Sequence, residues 1–182
     1  MKELSLNILD IAENSLKAGA TLTEILIEET DNLLSLTIRD NGCGMSDETE
    51  KNVENPFYTT RTTRKVGMGI PLLKLAAEQT GGGITIESKT VEEDPNNHGT
   101  TVTARFFKNH LDFTPLGDVT STITTLIQGH PDRDFHFHHT LPKGEVGLDT
   151  RELREMLDDI PLDSYEIIKW IEGHITEQYE LI

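Results

Sequence analysis

A chain of 182 residues can form one well-buried domain with a small appendage, and 35% hydrophobic with 26% charged side chains is a water-soluble, globular composition. No apolar run is long enough to span a bilayer, and an acidic amphipathic stretch follows Met1 where a signal peptide would have a basic start and an apolar core; a cytoplasmic protein without membrane contact is expected. The net charge of −16 disfavours nucleic acid as a partner, and the single cysteine, Cys43, excludes an internal disulfide and cannot by itself build a zinc site.

The stretch Leu9 to Thr21, LDIAENSLKAGAT, lies within a helix expected over 4–19. Its spacing turns Leu6, Leu9, Ala12 and Leu16 toward a core and sets Asp10 and Asn14, one turn apart, on a shared face. Two polar residues so placed need a polar body above them. Two alternating runs follow, Thr23 to Glu29 and Leu33 to Asp40, separated by Asp31 and Asn32. Ile25 and Ile27, then Leu34, Leu36 and Ile38, predict a hairpin with one buried face that meets the helix. Asp40-Asn41-Gly42-Cys43-Gly44-Met45 carries the second strand into a glycine turn, with Cys43 read as a small buried residue.

A short acidic helix is expected over 46–53, ended by Asn55-Pro56-Phe57-Tyr58. Thr59 to Met68 is polar, basic and aperiodic; Gly69 then opens a helix over 70–80, with Pro71 in its permissive first turn and Gly81 past its end. Strands Gly83 to Lys89 and Thr100 to Phe107 complete a helix, hairpin, helix, hairpin order. That order predicts an α+β chain, a two-layer α/β sandwich with a mixed sheet under helices, over residues 1–110.

Residues 111–182 read as an acidic C-terminal α/β extension of helix, hairpin and two helices, carrying 15 acidic and 5 basic side chains against 17 and 11 in residues 1–110. The helix spans Asp118 to Gln128 and the hairpin joins Phe135–Leu141 to Glu145–Leu148. Capping boxes are expected at Asp149 with Glu152 and at Asp163 with Glu166. The acidic surface suits a basic partner or plain solubility, and argues against reading the last helices as a DNA-binding pair. His136 and His138 project to one side of their strand, a two-ligand spacing for a metal; with His139 they read more simply as exposed histidines of an edge hairpin.

The turn at Asp40 is a weak signal alone. Joined to Glu13–Thr21, Asn55-Pro56-Phe57-Tyr58-Thr59-Thr60-Arg61, Val66-Gly67-Met68-Gly69-Ile70 and Gly99-Thr100-Thr101-Val102, it resembles the successive nucleotide boxes of the gyrase, heat-shock chaperone, histidine kinase and MutL ATP-binding superfamily, over about residues 4–107. The first two boxes are nearest MutL; the short lid and the segment after it are closer to histidine kinases. The resemblance implies a Bergerat-type fold that binds ATP and Mg2+.

It further implies that Asn14 ligates magnesium through its amide oxygen and that Lys17 lies on the phosphates. Asp40 would accept the adenine amino hydrogen, with Gly42, Gly44 and Met45 laying backbone against the ring and Thr101 supporting the contact. Phe57 and Tyr58 would hinge a lid whose Arg61 and Arg64 either reach the triphosphate or stay a solvated basic loop. Gly67 and Gly69 would bring backbone amides to the phosphates at a helix start, with Met68 and Ile70 beside them at the nucleotide. Asp10 stands where hydrolytic members carry a glutamate, so it is the candidate general base, or else a ligand to a magnesium-bound water.

Three functions stay open: a protein kinase acting in trans on a Ser, Thr or His of another protein, an ATPase whose turnover gates a partner, and a nucleotide-sensing module with little turnover. A protein partner is implied in each, and a homodimer stays open. Because the first nucleotide helix directly follows Met1, no preceding dimerisation and phosphoacceptor helices are expected, which argues against an autophosphorylating sensor kinase. The tail resembles, more vaguely, small bacterial ATP-binding proteins found beside iron-only hydrogenase components, which hints at regulation or assembly.

Overall fold

Ile25 faces Ile38 and Ile27 faces Leu36 across the antiparallel hairpin of β1 (Leu22–Glu29) and β2 (Leu33–Asp40), so the alternation seen in the sequence turns one continuous apolar face inward. A computed structural model describes residues 3–53 and 68–182 and builds the rest of the sheet around this pair. β3 (Gly83–Lys89) and β4 (Gly99–Phe107) add on the β2 side, and β5 (Asp134–Leu141) and β6 (Gly144–Asp149) on the β1 side. The order is β3-β4-β2-β1-β5-β6; β5 runs parallel to β1 and every other neighbouring pair is antiparallel.

α1 (Leu4–Lys17), α3 (Gly69–Gln79), α4 (Val119–Gly129) and α6 (Tyr165–Glu180) cover the apolar face, while α2 (Asp47–Val53) buries no side chain. Leu4, Ile8, Ile11 and Ala12 of α1 share one core with Ile25, Leu36, Val102, Phe106, Ile123 and Phe137. The stripe is rotated from the one expected: Leu6 is exposed, and Leu9 and Leu16 lie at the core margin. The tighter i, i+4, i+7, i+8 set takes the centre.

The extension is joined to the nucleotide-box region by backbone. β5 hydrogen-bonds along the length of β1, and the carbonyls of Pro115 and Leu116 accept from the amides of Leu4 and Ser5. Those are orphan donors of α1's first turn, whose N-cap, Glu3, makes no side-chain cap. Asp118 caps α4 by accepting from the Ser121 amide. The expected capping boxes differ in detail. Asp149 caps α5 (Thr150–Leu157) by accepting from the Arg151 amide, and it also grips the Arg151 guanidinium. For α6 the N-cap is Ser164, one residue past Asp163, and it makes no side-chain cap.

His139 differs from its neighbours on β5 by facing the core. Its Nε2 lies 3.1 Å from Glu29 Oε1 and its Nδ1 2.7 Å from the Tyr179 hydroxyl of α6; Lys108 Nζ donates to Glu29 Oε2 at 2.6 Å. The hydrogen bond from His139, helped by Lys108 and opposed by burial, lowers the Glu29 carboxyl to about 2 from 4.5; burial and the Glu29 charge push the Tyr179 phenol upward. A depressed carboxyl stabilises the fold above its unfolded value and loses that contribution as pH falls through the folded value. Linkage assigns the displacement roughly 3 kcal/mol at neutral pH. Thermal melts of Glu29→Gln should therefore lie well below the unmodified chain at pH 6 and converge on it between about pH 4 and 2; a gap that persists unchanged at low pH would remove the carboxylate from the account.

Candidate functional site

β2 ends at Asp40, whose inward side chain is half-buried at the C-terminal end of α1. Ser15, buried on α1, donates its hydroxyl to Asp40 Oδ2 at 2.6 Å; Oδ1 accepts from the Gly42 amide at 2.9 Å and the Thr100 amide at 3.3 Å. Two helix and strand elements and one turn thus converge on a single carboxylate. The backbone closes tightly around it. Gly99 has φ +127°, and a Cβ there would stand 1.9 Å from the Asp40 carbonyl oxygen; a Cβ on Gly42 would meet Ala18 and Asp40 at 3.0 Å. Gly44, at φ +71°, approaches the Lys89 carbonyl where no side chain fits.

A second layer holds the turn. Ser88 Oγ accepts from the Met45 amide at 2.8 Å and lies 2.8 Å from Thr100 Oγ1. His98 Nδ1 is 2.6 Å from the Gly42 carbonyl, which can only accept, so this nitrogen carries the proton. Asn41 turns away and ties the α1–β1 connection, accepting from the amides of Thr21 and Leu22.

The other half of the site is where α3 begins. A Cβ on buried Gly69 would lie 3.3 Å from Asp10 Cβ and 3.8 Å from both Asp10 Oδ2 and Asn14 Nδ2. The start of α3 therefore abuts the two polar residues of α1, and its N-cap, Met68, makes no side-chain hydrogen bond. Asp10 is exposed and Asn14 partly buried, the pair facing the same side as the shared spacing requires. Lys17, at the far end of α1, is exposed and pairs with Glu13 Oε2 at 3.7 Å; the other Glu13 oxygen meets His130 Nε2 at 2.9 Å, from the α4 end of the extension.

Two expectations are corrected, those for Thr101 and Cys43. Thr101 pairs with Arg39, on the sheet face opposite Asp40; Thr100, its register partner, lies beside the carboxylate. A one-residue step along a strand reverses the face. Ile70 places its side chain in the hydrophobic core and anchors α3, with its backbone in the first turn of that helix. Cys43 is exposed, because the turn presents it outward. Phe57, Arg61, Arg64 and Gly67 lie outside the described residues. Ser15, Ser88, Thr100 and His98 were not singled out by sequence reasoning; a serine on the buried stripe of α1 was the available signal. The register makes a direct comparison: Thr100→Val should weaken nucleotide binding about tenfold by removing the hydroxyl beside Ser88, while Thr101→Val should leave it within about twofold. Calorimetric titration of both variants with ATP checks this, and the reverse order would restore Thr101.

His136 and His138 share the sheet face away from the core, each near a carboxylate: Glu24 at 3.5 Å and Glu145 at 3.4 Å. No group of three or more His, Cys, Asp or Glu that could hold a metal ion occurs among the described residues.

The family model described as histidine kinase-, DNA gyrase B-, and HSP90-like ATPase matches residues 2–111. The sensor histidine kinase YvrG of Bacillus subtilis is 34% identical over 101 residues, 52% of this chain and 16% of YvrG. DNA mismatch repair protein MutL of Listeria monocytogenes serotype 4a is 28% identical over 162 residues, 71% of this chain and 27% of that protein. The chain thus spans well under a third of the length of these curated relatives. Of solved structures, the N-terminal domain of a DNA repair protein is similar with TM-score 0.60 at 19% identity, over 82% of this chain and 53% of that one. The MutL ATPase domain of Aquifex aeolicus, complexed with ADP, is similar with TM-score 0.55 at 18% identity, over 87% and 68%. Such coverage is more than residues 2–111 can supply, so the likeness of fold takes in part of the extension.

Proposed function

The chain belongs to the histidine kinase-, DNA gyrase B- and HSP90-like ATPase family, and from that premise we propose that it is a magnesium-ATP-dependent regulatory protein whose slow hydrolysis of ATP governs a partner protein. The observation that carries this reading is the meeting of α3's start with Asp10 and Asn14, where Gly69 leaves the space a Cβ would fill. The residues present fit the ligand: a hard amide oxygen, a carboxylate, an uncapped helix start, and a carboxylate acceptor at the other end of the site.

Bound magnesium ATP supplies the phosphoanhydride bond to be broken. Asp40 accepts from the adenine amino group; three donors from Ser15, Gly42 and Thr100 keep it oriented, and the glycines admit the ring to the backbone. Asn14 offers its amide oxygen to the metal. The amides at the start of α3 stabilise phosphate charge, and Lys17 exchanges Glu13 for a phosphate oxygen. Asp10 orients a water and takes its proton.

A second reading, transfer of the terminal phosphoryl group to a side chain of the partner, draws on the 34% identity to a sensor histidine kinase. Incubation with radiolabelled ATP, with and without cell proteins, separates them. Free phosphate with no labelled protein supports the ATPase, a labelled partner supports the kinase, and binding without either product leaves a nucleotide sensor. Absence of ATP or ADP binding in the presence of magnesium would overturn every version.

A further inference from the structure

Beyond the nucleotide site, the β6 edge of the sheet carries a recess of about 430 Å3, walled by α5 and α6. Trp170 and Met156 line it and remain 48% and 70% exposed, so that two large apolar side chains meet at one uncovered recess. The Trp170 ring is held flat against His174, with centroids 4.6 Å apart and planes 11° apart, so the indole is a fixed platform. Glu152 of α5 lines the recess together with His136 and His138 of β5. Residues 149–182 around the recess carry 10 acidic and 3 basic side chains.

We propose that this recess docks an arginine- or lysine-bearing segment of a partner protein. A guanidinium or ammonium group gains from an aromatic face and a carboxylate together, and its aliphatic stem covers apolar surface such as Met156. The acidic surroundings attract such a segment before contact. Volume fits one or two side chains rather than a folded element, so the partner contributes a loop or a tail.

Trp170 is the only tryptophan in the chain, so its emission reports on the recess directly. The probe is an acetylated tetra-arginine peptide at 0.15 M salt, with tetra-citrulline as its uncharged counterpart. Saturable change in Trp170 emission with the arginine peptide alone is expected. Calorimetry should show the affinity reduced about tenfold or more by Trp170→Ala and by Glu152→Gln, but by less than about twofold by Asp31→Asn, the same charge change on the remote β1–β2 turn. ATP binding, measured on the same samples, should be equal in all of them, which keeps this outcome distinct from that of the nucleotide site. An unmoved emission, equal response to citrulline, or equal loss in Asp31→Asn would overturn the proposal. So would a dimer in sedimentation that Trp170→Ala dissolves, since the recess would then belong to a second copy of the chain.

Discussion

Replacing Asp40 with asparagine is expected to raise the dissociation constant for ATP by about 100-fold while leaving the protein folded. The carboxylate holds its place by accepting three hydrogen bonds, from Ser15, Gly42 and Thr100. An asparagine keeps the shape, and its carbonyl oxygen still accepts from the two amides, while Ser15 can rotate to accept from the new NH2 group. What it loses is an acceptor with negative charge toward the base, and a second donor set against the adenine amino group is repelled. Asp40→Ala is harsher, because the Gly42 and Thr100 amides lose their acceptor and the Ser15 hydroxyl keeps only the Ile11 carbonyl at 3.4 Å; it should lose binding and also cost about 1–3 kcal/mol of stability. Calorimetry with ATP and thermal unfolding of the two variants read these effects separately. ATP bound by Asp40→Asn at the unmodified affinity would remove Asp40 from base recognition.

Asp40 also shows how much the sequence could convey. It ends an alternating strand before a glycine turn, in step with Leu34, Leu36 and Ile38, and the β1–β2 register sets it opposite buried Thr23. Local periodicity defines the faces of a strand because the pleat repeats every two residues. The same rule separates Thr100 from Thr101, yet the assignment needs the absolute register against β2, which Gly99 and its contact with the Asp40 carbonyl help to lock. Ser15 escaped notice because its role depends on a residue distant in sequence, brought to 2.6 Å by the packing of α1 on the sheet.

The extension illustrates a different limit. Its helices and hairpin were legible from caps and alternation, whereas the parallel pairing of β5 with β1 is a long-range choice that no local pattern announces. His136, His138 and His139 look alike in sequence, and the strand alternation already sets His139 on the other face. That this face is the core, and that Glu29, Lys108 and Tyr179 meet there, follows only from the assembled sheet. The consequence for function is that α6 and β1 are tied through one buried group, so the extension and the nucleotide-box region are linked by side chains as well as by backbone.

Asp10→Asn is expected to lower ATP turnover by about 10²–10⁴-fold with affinity nearly unchanged, the loss typical of a removed general base. Asn14→Ala should instead remove the magnesium dependence of binding, because the proposed role of its amide oxygen is to hold the metal. The contrast rests on their placement. Both border the start of α3 through Gly69, yet Asp10 is exposed and Asn14 partly buried. A proton acceptor needs room for a water; a metal ligand needs a fixed position. Aspartate reaches one methylene less far than glutamate, and a misplacement of about 1 Å can cost roughly 10²-fold, so slow basal turnover is the natural consequence. Phosphate release at saturating ATP, beside calorimetric affinity with and without magnesium, tests both residues together. Equal loss of affinity and turnover in Asp10→Asn would make Asp10 a structural support of the α1–α3 junction, and the protein a nucleotide sensor whose output is the conformation around α3.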